Sequence, residues 1–145
     1  MATTPFSGCA APPPRRGGQP NVVFILADDL GQGDLGCYGA TDLETPNIDA
    51  LATEGTHFTQ FYVTAPACMP SRISFLTGRH YNYGVEDDIG MASSEVTLAE
   101  MFGAAGYRTA LFGKWHMGVP TRTSPNNQGF DEFLGFKNGA MDNYS

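Results

Sequence analysis

From Asn21 onward, apolar runs alternate with polar, glycine-rich stretches. The run VVFILA (22–27) is continuous, apolar and rich in β-branched residues, which predicts a strand buried on both faces. It ends in Asp28-Asp29, and the glycine-rich LGQGDLGCYG that follows predicts a loop. TPNIDALATEG predicts a helix, with Thr45 as N-cap, Pro46 in the first turn and Gly55 as the stop. HFTQFYV (57–63) has strand character, and Pro70 suits the first turn of a short helix that runs to about Leu76 and ends at Gly78.

The second half continues the alternation. Thr97 and Glu100 have capping-box spacing, and Leu98, Met101, Phe102 and Ala105 form an apolar stripe closed by Gly106. YRTALFG (107–113) predicts a further strand, followed by KWHMG. Strands that alternate with helices predict an α/β fold with a largely parallel sheet. No internal repeat interrupts the pattern.

Composition narrows the picture. A chain of 145 residues suits one domain with a real core. Its formal net charge of -7 argues against a nucleic-acid partner, and no apolar run approaches the length of a membrane span. Residues 1–20, rich in Pro and Gly, read as a disordered leader. They lack the apolar core of a signal peptide, so FSGC is only a weak echo of a lipoprotein signal. Three cysteines, Cys9, Cys37 and Cys68, do not make a disulfide framework, although one bridge is open to them. Cys37 reads as a small buried residue. NYS at Asn143 fits a glycosylation sequon, for which coincidence is the simpler explanation.

In an open parallel sheet, ligands gather beyond the carboxyl ends of the strands. Asp28-Asp29, Lys114 with His116, and Cys68 at a helix N-terminus fall on that rim together. Adjacent carboxylates suit a hard divalent cation, though Asp is also common in solvated turns. Arg72, Lys114 and His116 could be solvated individually; near a cation and a helix N-terminus they make an oxyanion site. Cys68 reads either as an inert thiol or as a thiolate nucleophile.

A third reading of Cys68 comes from its context. CMPSRISFLTGR (68–79) resembles the sulfatase signature C-x-P-S-R-x-x-x-L-T-G-R at every fixed position: Cys68, Pro70, Ser71, Arg72, Leu76, Thr77, Gly78 and Arg79. The segments around 21–39, 45–63, 95–118 and 129–136 are also similar to that family, so the resemblance spans residues 21–145. It implies the alkaline-phosphatase-like α/β sandwich with a largely parallel central sheet, here truncated to the N-terminal part of the catalytic domain (21–145). It implies a sulfuric ester hydrolase that is incomplete alone. The alternatives are a phosphonate or phosphate ester hydrolase of the same superfamily, or an inactive fragment.

The same resemblance implies the site. Asp28 and Asp29 match metal carboxylates for Ca²⁺, or Mg²⁺. Cys68 matches the cysteine that a formylglycine-generating enzyme oxidises to an aldehyde; its hydrate is both nucleophile and metal ligand. Arg72 matches the arginine that holds the hydrate, Lys114 a sulfate-contacting lysine, and His116 the histidine beside the hydrate. Asp34, Asp87 and Asp88 are the next carboxylates to consider for the metal. The implied substrate is a sulfated small molecule or glycan, and the implied location is extracytoplasmic: periplasmic, secreted or lysosomal.

Overall fold

The computed structural model describes residues 18–83 and 90–140. The leader through residue 17 with Cys9, the pair Asp87 and Asp88, and the Asn143 sequon lie outside the described residues. In chain order the regular elements are α1 (Pro46–Glu54), α2 (Cys68–Thr77), α3 (Leu98–Ala104), β1 (Ala110–Lys114) and β2 (Glu132–Phe136), with short 3₁₀ turns between them.

The helices follow their local signals. Helix α1 begins on Pro46 after Thr45 and ends at Gly55. Helix α2 starts at Cys68, two residues before Pro70, and ends where Gly78 turns left-handed at φ 66°. Helix α3 has the expected capping box: the Glu100 amide donates to Thr97 Oγ1 at 3.2 Å, and the Thr97 amide donates to the Glu100 carboxylate at 2.7 Å. It closes as the Tyr107 amide reaches back to the Phe102 carbonyl at 3.0 Å across Gly106. The buried face of α3 departs from the expected stripe. Ala99 is buried and Leu98 packs on the core, whereas Met101 is 62% exposed and Ala105 faces solvent.

The sheet among the described residues is one parallel pair, β1 and β2, in register Ala110 with Glu132 through Lys114 with Phe136. The expected strand at 107–113 thus begins three residues later, and β2 was not anticipated. The pairing runs on past β1, because the Trp115 amide donates to the Phe136 carbonyl and the His116 amide to the Lys137 carbonyl. Two expected strands, 22–27 and 57–63, form no ladder. Val23 is 83% and Phe61 76% exposed. A strand exists only through its hydrogen-bonded neighbour, and no described segment lies alongside either one in register. The 22–27 run is held instead through side chains, with Phe24 stacked on Phe75 of α2 at 3.8 Å.

The core is a cluster of Ile73, Leu76, Met91, Trp115 and Met117. It lies between α2 and the chain that leaves β1. Trp115 is fully buried, and its indole N–H donates to the Thr123 carbonyl at 2.9 Å. Met91 ties the 90–97 segment to this core by donating its amide to the Met117 carbonyl at 3.0 Å. Arg79, just past α2, closes onto Glu95 of that segment at 2.7 and 3.0 Å.

Thr97 does two jobs, since its buried hydroxyl accepts from Glu100 and donates to the Gln128 carbonyl at 2.7 Å. Thr97→Ala is therefore expected to lower stability by about 1–2 kcal/mol. A urea titration followed by Trp115 fluorescence will show this as a lower midpoint, with Thr97→Ser recovering most of the loss.

Candidate active site

The site assembles where α2, the end of β1 and the 22–29 segment meet. Arg72, one turn into α2, is buried, and its guanidinium reaches two other segments. Nη1 donates to the Lys114 carbonyl at 2.7 Å, and Nη2 donates to Asp28 Oδ1 at 3.0 Å. Lys114, the last residue of β1, donates from Nζ to the other carboxylate oxygen of Asp28 at 2.8 Å. Asp28 thus accepts from two cations at once.

The charges respond to one another. The hydrogen bond from Lys114 holds the Asp28 carboxyl below the usual carboxylate range; burial opposes this and Arg72 adds to it. Burial works to lower the Lys114 ammonium, but Asp28 and the Cys68 sulfur outweigh it and the net shift is upward. His116 is pushed below the usual imidazole range, first by burial and then by Lys114 and Arg72, which favours its neutral form.

Cys68 is the first residue of α2, preceded by Ala67 in an extended conformation. The approach to the helix is fixed by the Ser71 hydroxyl, which donates to the Ala65 carbonyl at 2.8 Å. Cys68 Sγ lies 3.1 Å from His116 Nδ1. The sulfur therefore has an imidazole on one side and Lys114 within electrostatic reach. Asp28, Asp29, Cys68, Ser71 and Arg72 share a cleft of about 270 Å³. A larger apolar groove of about 450 Å³ runs between residues 22–28 and β1, and it ends on the same Asp28, Arg72 and Lys114.

Two site residues have strained backbones. Asp29 and His116 sit at φ 58° and 56°, the only non-glycine residues at positive φ among those described. Such a conformation costs of order 1–3 kcal/mol and persists only where the surroundings enforce it. At His116 the enforcing contact is its amide bond to the Lys137 carbonyl at 3.1 Å.

The expected site residues lie on this rim, and all but Asp29 fall into two groups. Asp28, Arg72 and Lys114 are joined by hydrogen bonds, and Cys68 and His116 are in contact. Asp29 lines the cleft without joining either group. The expected metal ligands Asp28, Asp29 and Cys68 do not close into a shell among the described residues. Among the described residues no three His, Cys, Asp or Glu side chains are gathered at metal-binding distance. Asp28 turns both its oxygens to Arg72 and Lys114, so Asp28, Asp29 and Cys68 are neighbours and not a closed ligand set. Asp34 is also engaged elsewhere, accepting from the Gly31 amide at 2.8 Å.

The remaining cysteine differs from expectation as well. Cys37 is half-buried, and its amide donates to Asp49 Oδ1 at 2.7 Å. Burial, and then Asp49, push its thiol up. Cys37 and Cys68 are both free. Sequence reasoning missed the Arg79–Glu95 pair and the contact of Gly139 with the His116 ring. Glu95 carries no motif; the only signal for the pair was the fixed arginine of the 68–79 signature.

Comparison with known proteins bears on this arrangement. The Sulfatase family model matches residues 20–145. Steryl-sulfatase of Mus musculus is 46% identical over 87% of this chain and 23% of its own length. Arylsulfatase A of Homo sapiens is 48% identical over 80% of this chain and 25% of its own. The chain thus spans about a quarter of the length of these relatives. Among solved structures, Ps i-CgsB superposes with TM-score 0.74 at 39% identity, covering 79% of this chain and 27% of that one. The PsFucS1 sulfatase from Pseudoalteromonas sp. superposes with TM-score 0.69 at 38% identity, over 78% of this chain and 25% of that one. These likenesses carry the alkaline-phosphatase-like α/β fold, of which the described residues form one part. With the signature helix, its buried arginine and the family match over residues 20–145 in agreement, the chain belongs to the sulfatase family.

Proposed function

We propose that residues 21–145 form the N-terminal part of a sulfatase catalytic domain, following a leader at 1–20, and that they carry the nucleophile half of a sulfuric ester hydrolase. The observation that carries this reading is the 3.1 Å contact between Cys68 and His116, beside the Arg72–Asp28–Lys114 network. It brings a nucleophile position, a neutral imidazole and two cations within one small volume.

In this reading the Cys68 sulfur stands where a formylglycine hydrate would be. The hydrate would supply a hydroxyl nucleophile for the ester sulfur, and the alcohol would leave with the bridging oxygen and a proton. The hydrate's second hydroxyl would give up a proton as the C–O bond to the sulfate breaks, which would return the aldehyde. His116, held neutral by burial and by its cationic neighbours, is suited to take that proton. Arg72 and Lys114 offset charge that develops on the sulfate oxygens. Arg72 Nε is buried with no hydrogen-bond partner among the described residues.

The carboxylates of Asp28 and Asp29 are hard oxygen donors and suit Ca²⁺, with Mg²⁺ as the second choice. They would hold the ion, which would supply Lewis-acid polarisation of the nucleophile oxygen. Binding there must compete with Arg72 and Lys114 for the Asp28 oxygens. The substrate class is a sulfate monoester on a small molecule or a glycan. One solved relative is described in complex with its substrate D-glucosamine-2-N,6-O-disulfate, and another in complex with a neocarrahexaose. The formylglycine-generating enzyme is the partner in maturation, and the compartment is extracytoplasmic. No described helix is long and apolar enough to cross a membrane.

The modification is the first test. Co-expression with an active formylglycine-generating enzyme is expected to convert Cys68, read by peptide mass spectrometry and hydrazide labelling. A persistent thiol at Cys68, with a control substrate converted in the same cells, overturns the reading.

In a catalytically active chain that carries this segment, Arg72→Ala and Lys114→Ala are each expected to reduce turnover of an aryl sulfate by about a hundredfold or more. Near-normal rates in both would remove these residues from the mechanism. Faster turnover of the matching aryl phosphonate would move the activity to the phosphonate class.

For the 145-residue chain alone, the open ligand set predicts weak Ca²⁺ binding by calorimetry and negligible sulfatase activity, even with formylglycine installed. Tight binding with robust turnover would show that these residues complete the site by themselves.

A further inference from the structure

His116 is caught between two neighbours. On one side its Nδ1 faces Cys68 Sγ at 3.1 Å. On the other side the chain leaving β2 runs beside it, because the His116 amide donates to the Lys137 carbonyl at 3.1 Å. Two residues further on, Gly139 lies against the far edge of the imidazole. A Cβ built on Gly139 would lie 2.6 Å from Nε2, 2.7 Å from Cε1 and 3.3 Å from Cδ2 of His116.

Most glycines of this chain with positive φ are explained by their backbone, as at Gly78 or Gly106. Gly139 is not among them. The need for glycine at 139 is therefore a need for space, and the space belongs to one ring. A methyl group there would sit about 1 Å inside the 3.5–4.0 Å of an ordinary carbon contact. The ring cannot retreat toward Cys68, which it already touches. Nor can the backbone give freely, since His116 is held at φ 56° by its bond to Lys137. The remaining movement is rotation of the imidazole outward, since the residue is only half-buried, and that rotation breaks the contact with Cys68.

We propose that Gly139 is a positioning residue: by having no side chain it lets the His116 ring stand between the 139 backbone and Cys68, and so fixes Nδ1 on the nucleophile position. This rests on the reading of His116 as the group that serves Cys68. It adds a residue from beyond β2 that carries no chemistry of its own.

The test uses the 145-residue chain made without the formylglycine-generating enzyme, so that Cys68 is a thiol. Iodoacetamide alkylation of Cys68 is followed by peptide mass spectrometry, with Cys37 as internal reference. Gly139→Ala and His116→Ala are each expected to change the Cys68-to-Cys37 rate ratio by about threefold or more in the same direction, and the double variant is expected to go no further than either single variant. Gly103→Ala, in α3 with open space around its Cβ position, is expected to keep the wild-type ratio.

A wild-type ratio in Gly139→Ala, or single effects that multiply in the double variant, overturns the proposal. Emission from the buried Trp115 reports whether each variant is folded. If Gly139→Ala alone unfolds, removing the ring in the double variant must restore the fold, and failure to restore it also overturns the proposal. Alkylation needs neither formylglycine nor sulfate. A chain that never shows sulfatase turnover therefore leaves this result standing, and a negative result here leaves the sulfatase reading to its own tests.

Discussion

The buried guanidinium of Arg72 is the constraint on which the site depends. It belongs to α2, yet its two terminal nitrogens are bonded to the last carbonyl of β1 and to the carboxylate that follows the 22–27 run. A planar fork with fixed donor directions can do this, whereas the single ammonium of a lysine cannot hold two such acceptors at defined angles. Three segments far apart in sequence are thereby brought to one point. Cys68 lies one helical turn before Arg72 on the same helix, so fixing the arginine fixes the nucleophile position relative to β1.

Burying that charge needs a counter-charge, and the chain provides one carboxylate for two cations. Asp28 is 39% exposed in its side chain, while Arg72 and Lys114 are 10% and 9%. The excess positive charge lies on the less exposed side. Burial first, and then that positive charge, lowers the imidazole of His116, and the same charge favours an anion in the cleft. A structural ion pair would be closer to neutral. Two cations on one carboxylate leave the network able to accept a further anion.

How much of this could be read from the sequence depended on whether the information was local. The ends of α2 and α3 were legible because Pro70, Gly78, Thr97 with Glu100, and Gly106 act within one turn of where they stand. The convergence of Cys68, Arg72, Asp28, Lys114 and His116 was legible because the 68–79 signature is dense and because Asp28, Lys114 and His116 close apolar runs. The strands were less so. VVFILA has every local property of a buried strand, yet its apolar side chains are largely exposed and it pairs with nothing described, because pairing is a property of the neighbour. Conversely, GFDEFLGF contains β2, where Gly135 stands opposite Gly113 in the ladder. Glycine weakens a strand by propensity, but here a Cβ at 135 would collide with the Gly113 backbone. Close approach of two backbones overrode the local preference.

The same distinction explains the strain at the rim. Asp29 and His116 adopt left-handed conformations that their own sequences do not request, and each follows directly on a run that fixes the residue before it. Asp28 is anchored by Arg72 and Lys114, and Trp115 by the core and by the Phe136 carbonyl. The chain turns left-handed just beyond each anchor, where Asp29 lines the cleft and His116 meets Cys68 while its amide still pairs with the Lys137 carbonyl. The anchor at Trp115 is core packing and a ladder-like hydrogen bond, whereas the one at Asp28 belongs to the site itself. What is particular to this chain is that the residue placed after each anchor carries a carboxylate or an imidazole, so the backbone strain is stored in two residues at the Cys68 rim.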